Sequence, residues 1–499
     1  MLKKLASETA IYGGTTIMAR LLNYALVPLH TGVFAPGSYG IVSEFYAYAA
    51  VLNVLFTYGM ETAYFRFATR EGGDETKSFN SAVSSLLTTS LLFSGILIAF
   101  SSSIAQALGY PDGQKYIVWF ALLIGIDAIV AIPFARLRIQ HKAKYFALAK
   151  LGNICINFGL NIFFLIFCKG VFEGKYLASL QPMISSFYDP ELGLGYAFLA
   201  NLLANAMLVP ILLPVFRTLK YSLNMSQLKP MLIYGFPIIF SGLAFSINEV
   251  SDRVLLKYLL PADFYPDKEN MDAVGIYSAC YKLSMFITLA VQAFRFAAEP
   301  FFFAKAKDKD HKEAYSIVMN YFIIACCLML VAVMANVDWL SRIFIRDKAY
   351  LVGLGVVPIL LMANVFLGIY YNLAAWFKIT DRTYFGAIIS SIGALFTISF
   401  NFYLIPHIGY FGSAWATFTC YGSMMLLCYL LGRKYYPIPY RVLSGLFYLL
   451  LAGAMSWATT QLDFGSFFMN LLANNLLLLT FLAVVFLKER KKIMGFLRR

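Results

Sequence analysis

The chain alternates long apolar runs with short polar connections, and each run approaches the ~20 residues that a helix needs to cross a bilayer. Fourteen such runs begin near Thr9, Ile41, Phe79, Tyr116, Phe146, Gly193, Met231, Ala273, Ala314, Val352, Tyr384, Phe411, Val442 and Phe468. The pattern predicts an all-α integral membrane protein with 14 transmembrane helices. Residues 1–9 run into the first span without a small-residue cleavage pattern, so a retained first helix is expected. No connection is long enough to fold alone; the largest on the lysine-poor side, Lys169–Leu192, has the length of one helix or extended loop. Function is therefore expected inside the membrane.

The polar residues within the apolar runs are ordered. Between Phe236 and Glu299 two runs carry Asn248, Glu249, Asp252, Arg253, Lys282, Gln292, Arg295 and Glu299. A charge at the bilayer centre costs at least ~2.5–3.5 kcal/mol on insertion scales, so such side chains face a bundle interior or a watery cavity. Tyr277, Tyr281, Ser284, Thr288, Gln292, Arg295 and Glu299 follow steps of three and four, one face of a helix. Ser241, Asn248 and Asp252 share a face of the preceding helix, where Glu249 and Arg253 form an i,i+4 pair. Near the start of the chain, Tyr12, Thr16, Arg20, Asn23 and His30 lie on one side of the first helix. Tyr46, Asn53, Thr57 and Glu61 do so on the second. Pairing these helices with the seventh and eighth would enclose a cavity carrying Arg20, Arg253 and Lys282.

Landmarks recur six spans apart. Gly40-Ile41-Val42-Ser43-Glu44-Phe45-Tyr46 and Gly275-Ile276-Tyr277-Ser278-Ala279-Cys280-Tyr281 both fit G-I-x-S-x-x-Y. Tyr12-Gly13 matches Tyr234-Gly235, and Lys144-Tyr145-Phe146 matches Thr383-Tyr384-Phe385. The expectation is two pseudo-symmetric six-helix lobes, residues 1–225 and 226–435, with helices 13–14 and a basic tail in 436–499. An even number of helices per copy gives both lobes the same orientation.

Composition agrees: 60% of the 499 residues are hydrophobic and 13% charged, a balance of multi-pass membrane proteins. The net charge of +14 would suit nucleic acid in a soluble chain, but here the bases sit between spans. One set of alternate connections holds 29 Lys and Arg, including Lys309, and the other set holds 8. By the positive-inside rule this predicts both termini in the cytoplasm. The seven cysteines fall in or beside apolar runs, with no metal or redox spacing, and read as small hydrophobes. No GxxxxGK[ST], HExxH or GxSxG pattern is present, so ATP hydrolysis, zinc and serine chemistry have no visible machinery.

The segments ARLLNYALVPLHTGVFAPGSYGIVSEF, SINEVSDRVLL and VGIYSACYKLSMFITLAVQAFRFAAEPFFF resemble bacterial polysaccharide flippases. These form the Wzx-like branch of the multidrug/oligosaccharidyl-lipid/polysaccharide (MOP) superfamily, and the likeness spans nearly the whole chain. The resemblance implies a MATE/MOP-like fold of two lobes forming a V, and alternating access. It implies a non-enzymatic flippase that moves an undecaprenyl-pyrophosphate-linked oligosaccharide to the outer leaflet of the bacterial cytoplasmic membrane. Membrane lipids and polysaccharide assembly proteins are the other partners it implies. Related lipid II flippases use cavity arginines, for which Arg20 and Arg253 are the candidates here. The lipid II branch carries a denser arginine set in its first two helices than this chain does.

The candidate substrate-binding residues are then Arg20, Asn23, Asn53, Asn248, Asp252, Arg253, Tyr281 and Lys282. Glu61, Asp127 and Glu249 are the ion-coupling candidates, for H+ or Na+, with no metal site and no other cofactor. Four of them have a structural alternative: Arg20 paired with Glu61 or Asp127, Asp252 and Arg253 paired locally, and Asp127 held in an interhelical hydrogen bond. A multidrug antiporter would favour cavity carboxylates over bases. A membrane glycosyltransferase or polysaccharide polymerase would place acidic residues in an early external loop, and Thr31–Gly40 has none.

Overall fold

The computed structural model describes the backbone of residues 2–306, 308 and 310–497. Side chains are described from 11 to 490, apart from 297, 299, 300, 303, 304, 307 and 309. Lys309 and the side chain of Glu299 thus lie outside the described residues. The described chain is helical throughout, with no strand among those residues.

Among the described residues twelve helices are long and apolar enough to span a membrane, and each coincides with one of the expected runs. In chain order they are α2 (Pro36–Thr69), α3 (Glu75–Ala99), α4 (Gln114–Ile139), α5 (Ala143–Phe172), α7 (Met225–Leu259) and α8 (Asn270–Lys305). They continue as α9 (His311–Ala335), α10 (Lys348–Ile379), α11 (Tyr384–Ile408), α12 (Tyr410–Tyr435), α13 (Val442–Gln461) and α14 (Phe467–Leu497). The first expected run forms the 23-residue helix α1 (Leu2–Tyr24), and the sixth forms the shorter apolar helix α6 (Gly195–Ile211). Length and hydropathy therefore support twelve of the fourteen spans directly.

Local chemistry sets several helix ends. Asp74 caps α3 by accepting from the Lys77 amide at 2.9 Å, and a reciprocal Glu269–Asp272 capping box starts α8. Helix α2 breaks at Tyr58–Gly59, where φ is +33° and +72°. At Gly59 glycine is needed twice over, because a Cβ there would also lie 2.8 Å from the Gly235 carbonyl oxygen. Large apolar side chains such as Leu91, Leu148, Leu395, Leu443 and Phe468 point outward. For a spanning helix that surface meets lipid, so it carries no penalty. The seven cysteines are free thiols, six of them buried.

The chain divides into two compact units, one of Met1–Phe34 with Ile41–Ser246 and the other of Ala35–Gly40 with Ile247–Arg499. The division falls within α2 and within α7. In the first unit α3 packs on α4, α1 on α5, and α6 on both α4 and α5. Its core joins Met60, Tyr64, Phe79, Leu86 and Phe134. A second cluster gathers Phe45, Phe120 and Phe198.

In the second unit α12 packs on α10 and α11, α8 on α10, and α9 on α13 and α14. The two G-I-x-S-x-x-Y segments begin at one contact here. A Cβ on Gly40 would lie 2.2 Å from the Met271 carbonyl oxygen, and one on Gly275 would lie 1.9 Å from that of Pro36. Small residues let membrane helices approach backbone to backbone.

Candidate functional site

Helices α1, α2, α4, α5 and α6 of the first unit enclose a cavity of about 500 Å³. Arg20 and Asn23 come from α1, Tyr46 and Asn53 from α2, and Asp127 from α4. Lys150 and Asn153 come from α5, and Asn201 and Asn205 from α6. An adjoining space of about 430 Å³ shares Asn53, Asp127, Lys150, Asn153 and Asn205 and adds Glu61 and Arg138. Five of the sequence-level candidates, Arg20, Asn23, Asn53, Glu61 and Asp127, therefore line one connected site.

The charges within it are not equivalent. Glu61 forms an ion pair with Arg138, whose guanidinium also lies 4.7 Å over the Phe65 ring. Asp127 accepts a 2.8 Å hydrogen bond from the Asn205 amide, whose oxygen accepts from Asn153 at 2.9 Å. Asn201 donates to the Tyr46 hydroxyl at 2.8 Å. Arg20 is half-buried, pairs with neither Glu61 nor Asp127, and forms no other ion pair or hydrogen bond among the described residues. Lys150, exposed on the cavity wall, forms no ion pair among them either. With Glu61 neutralised by Arg138, two bases face one carboxylate. Such a wall suits an anion, and its amides suit hydroxyl groups.

Lys150, Asn153, Asn201, Asn205 and Arg138 were not among the sequence-level candidates. Lys150 and Arg138 fall at span ends, where a base reads as a topological signal. The asparagines do leave a trace: Asn153, Asn157 and Asn161 recur every four residues in α5, as do Asn201 and Asn205 in α6. Asn161 also holds buried His30, at 2.9 Å.

The remaining candidates gather in the second unit. Asn248 has a partner at both ends of its amide, donating to the Ser390 carbonyl at 3.1 Å and accepting from Thr397 at 3.2 Å. Asp252 accepts from the Tyr277 hydroxyl at 2.6 Å and from Arg253 Nη1 at 3.0 Å. Arg253 Nη1 also donates to the backbone carbonyl of Glu249 at 2.6 Å, so its carboxylate partner is Asp252. The guanidinium lies 4.4 Å over the Tyr281 ring. Asn248, Asp252 and Arg253 are all buried, and this network satisfies each of them. Lys282 is half-buried with no ion pair among the described residues.

Asp127→Asn preserves shape and can still accept from Asn205, while it removes titration. If transport is ion-driven, the variant is expected to lose its dependence on the ion gradient, measured as export with and without a protonophore or sodium. Unchanged gradient dependence would leave Asp127 a purely structural acceptor.

The fold matches solved membrane transporters. An inward-facing multidrug resistance MATE family transporter of the MOP superfamily aligns over 83% of this chain and 94% of its own, at 15% identity and a TM-score of 0.64. The lipid II flippase MurJ, in an inward closed conformation, aligns over 95% and 98%, at 15% identity and a TM-score of 0.67. An outward-facing MATE transporter aligns over 86% and 95%, at 15% identity and a TM-score of 0.57. These likenesses establish a MATE- and MurJ-type fold. No curated protein matches the chain. Residues 5–304, more than half of the sequence, match the family described as polysaccharide biosynthesis protein, and to that family the chain belongs.

Proposed function

We propose that the protein is a flippase that carries an undecaprenyl-pyrophosphate-linked oligosaccharide from the inner to the outer leaflet of a bacterial cytoplasmic membrane. The observation that carries this reading is the first unit's cavity, where Arg20 and Lys150 form no ion pair among the described residues and stand among asparagine amides. A pyrophosphate leaving water needs fixed cations to replace its hydration, and a guanidinium offers a planar fork for two phosphate oxygens. Amide groups complement the hydroxyls of a glycan. Membership of the polysaccharide biosynthesis family supports the same substrate class. The protein acts by alternating access, as a transporter without covalent catalysis or other cofactors, with H+ and Na+ as the candidate coupling ions.

In a strain lacking the gene, the lipid-linked oligosaccharide should accumulate on the cytoplasmic side and surface polysaccharide should be lost, both restored by the intact chain. Normal surface polysaccharide with arrested peptidoglycan synthesis would transfer the reading to lipid II, which shares the pyrophosphate. Drug sensitivity as the sole defect would transfer it to a multidrug antiporter.

The proposed orientation puts both termini in the cytoplasm. Single-cysteine labelling, in a background without native cysteines, should place Lys142, Lys220 and Arg433 inside and Lys175 and Lys268 outside. An externally labelled Lys220 would overturn the arrangement.

A further inference from the structure

In the second unit an apolar groove of about 270 Å³ runs between α9, α10, α12 and α13. Ile323, Leu373, Tyr429 and Gly445 line it, with Arg441 at one end. It opens where Leu426 and Leu446 are 53% and 49% exposed, a surface that meets hydrocarbon in a spanning helix. Its occupant therefore enters sideways from the bilayer rather than from water.

Two polar groups interrupt this wall. Asn320 lines the groove at only 4% exposure, and its side-chain oxygen has no hydrogen-bond partner. Arg441, exposed just ahead of α13, forms no ion pair among the described residues. On the orientation proposed above, Arg441 stands at the cytoplasmic headgroup level. Asn320 stands near the level of the α13 N-terminus: Ser316, one turn earlier in α9, donates to the Pro439 carbonyl at 2.6 Å, and a Cβ on Gly445 would meet Ile323 at 3.1 Å. An exposed arginine whose long side chain reaches toward the headgroups, with a buried amide near its base in the same groove, matches a lipid carrying a phosphate and, just below it, an ester. The Asn320 NH2, which has no hydrogen-bond partner among the described residues, can donate to an ester carbonyl. A polyprenyl phosphate has no polar group below its phosphate, and a zwitterionic headgroup brings its own cation to compete with Arg441.

We propose that this groove binds one anionic diacyl phospholipid of the cytoplasmic leaflet, with its phosphate on Arg441, an ester on Asn320 and one chain in the groove. The inference rests on the proposed orientation but not on transport. Binding is measured on the purified full chain, where failure of the flippase reading would leave it unchanged.

The test is native mass spectrometry of delipidated protein offered phosphatidylglycerol, phosphatidylethanolamine or undecaprenyl phosphate at equal concentration. One phosphatidylglycerol should be retained in preference to the other two. Arg441→Gln, at an exposed position that leaves folding intact, should weaken its retention about tenfold, the loss of one charge-assisted hydrogen bond. Asn320→Leu, similar in volume, should weaken it as well. Gly445→Leu, whose Cβ would already meet Ile323 at 3.1 Å, should fill the groove and abolish it. Phosphatidylglycerol bound equally well by Arg441→Gln overturns the proposal. So does preferential retention of undecaprenyl phosphate, equal retention of phosphatidylethanolamine, or no retained lipid.

Discussion

Arg20→Ala should abolish export while the protein still inserts and accumulates normally. Arg20 is half-buried on the cavity wall and pairs with no carboxylate among the described residues, so no ion pair among them breaks when it is removed. What is lost is a fixed cation for the substrate phosphate, worth ~1.5–3 kcal/mol per charge-assisted bond, or roughly one to two orders of magnitude in binding. Arg20→Lys keeps the charge without the fork and should retain part of the activity. Arg253→Ala is the informative contrast. It leaves Asp252 buried without its ion partner, at a cost of ~3–5 kcal/mol, and should lower the amount of folded protein. Surface polysaccharide in a deletion strain, normalised to membrane protein, separates the two effects. Full export by well-expressed Arg20→Ala would sink the proposed site.

Gly275→Val should lower both thermal stability and export sharply. The added Cβ would lie 1.9 Å from the Pro36 carbonyl oxygen and 3.0 Å from the Gly40 amide nitrogen. Both neighbours are backbone, so no rotamer change can relieve the clash and the helices must move apart. Overpacking costs ~1–3 kcal/mol even where side chains can adjust. Gly40→Val should act alike, since its Cβ would sit 2.2 Å from the Met271 carbonyl oxygen. Gly14→Ala, with nothing within 4 Å, is the neutral control. The measurement is the melting temperature of detergent-purified protein by size exclusion, alongside export. Wild-type melting and export in Gly275→Val would show that the close approach is dispensable.

Periodicity and apolar length were enough to place the helices, because in lipid every backbone group must be satisfied within its own segment. Three- and four-residue spacing likewise put Arg20 and Asn23 on one face and Tyr277 and Tyr281 on another. The G-I-x-S-x-x-Y recurrence was legible as repetition, but not its physical use. Only the packed structure shows Gly40 and Gly275 lying at one backbone contact.

Partnership was the other thing the sequence withheld. Asp252 and Arg253 look like cavity charges when read along one helix, yet Tyr277 and the Glu249 carbonyl complete a closed network around them. Glu61 looks available to Arg20 until Arg138, far along the chain, takes it. Lys150 looks like a loop base, and only the position of α5 beside α1 puts it on the same wall as Arg20. Hydropathy and spacing are local properties that each segment carries by itself. Whether a charge is spent on a neighbour or left for a ligand depends on groups from other helices, and packing alone decides which of those come within reach.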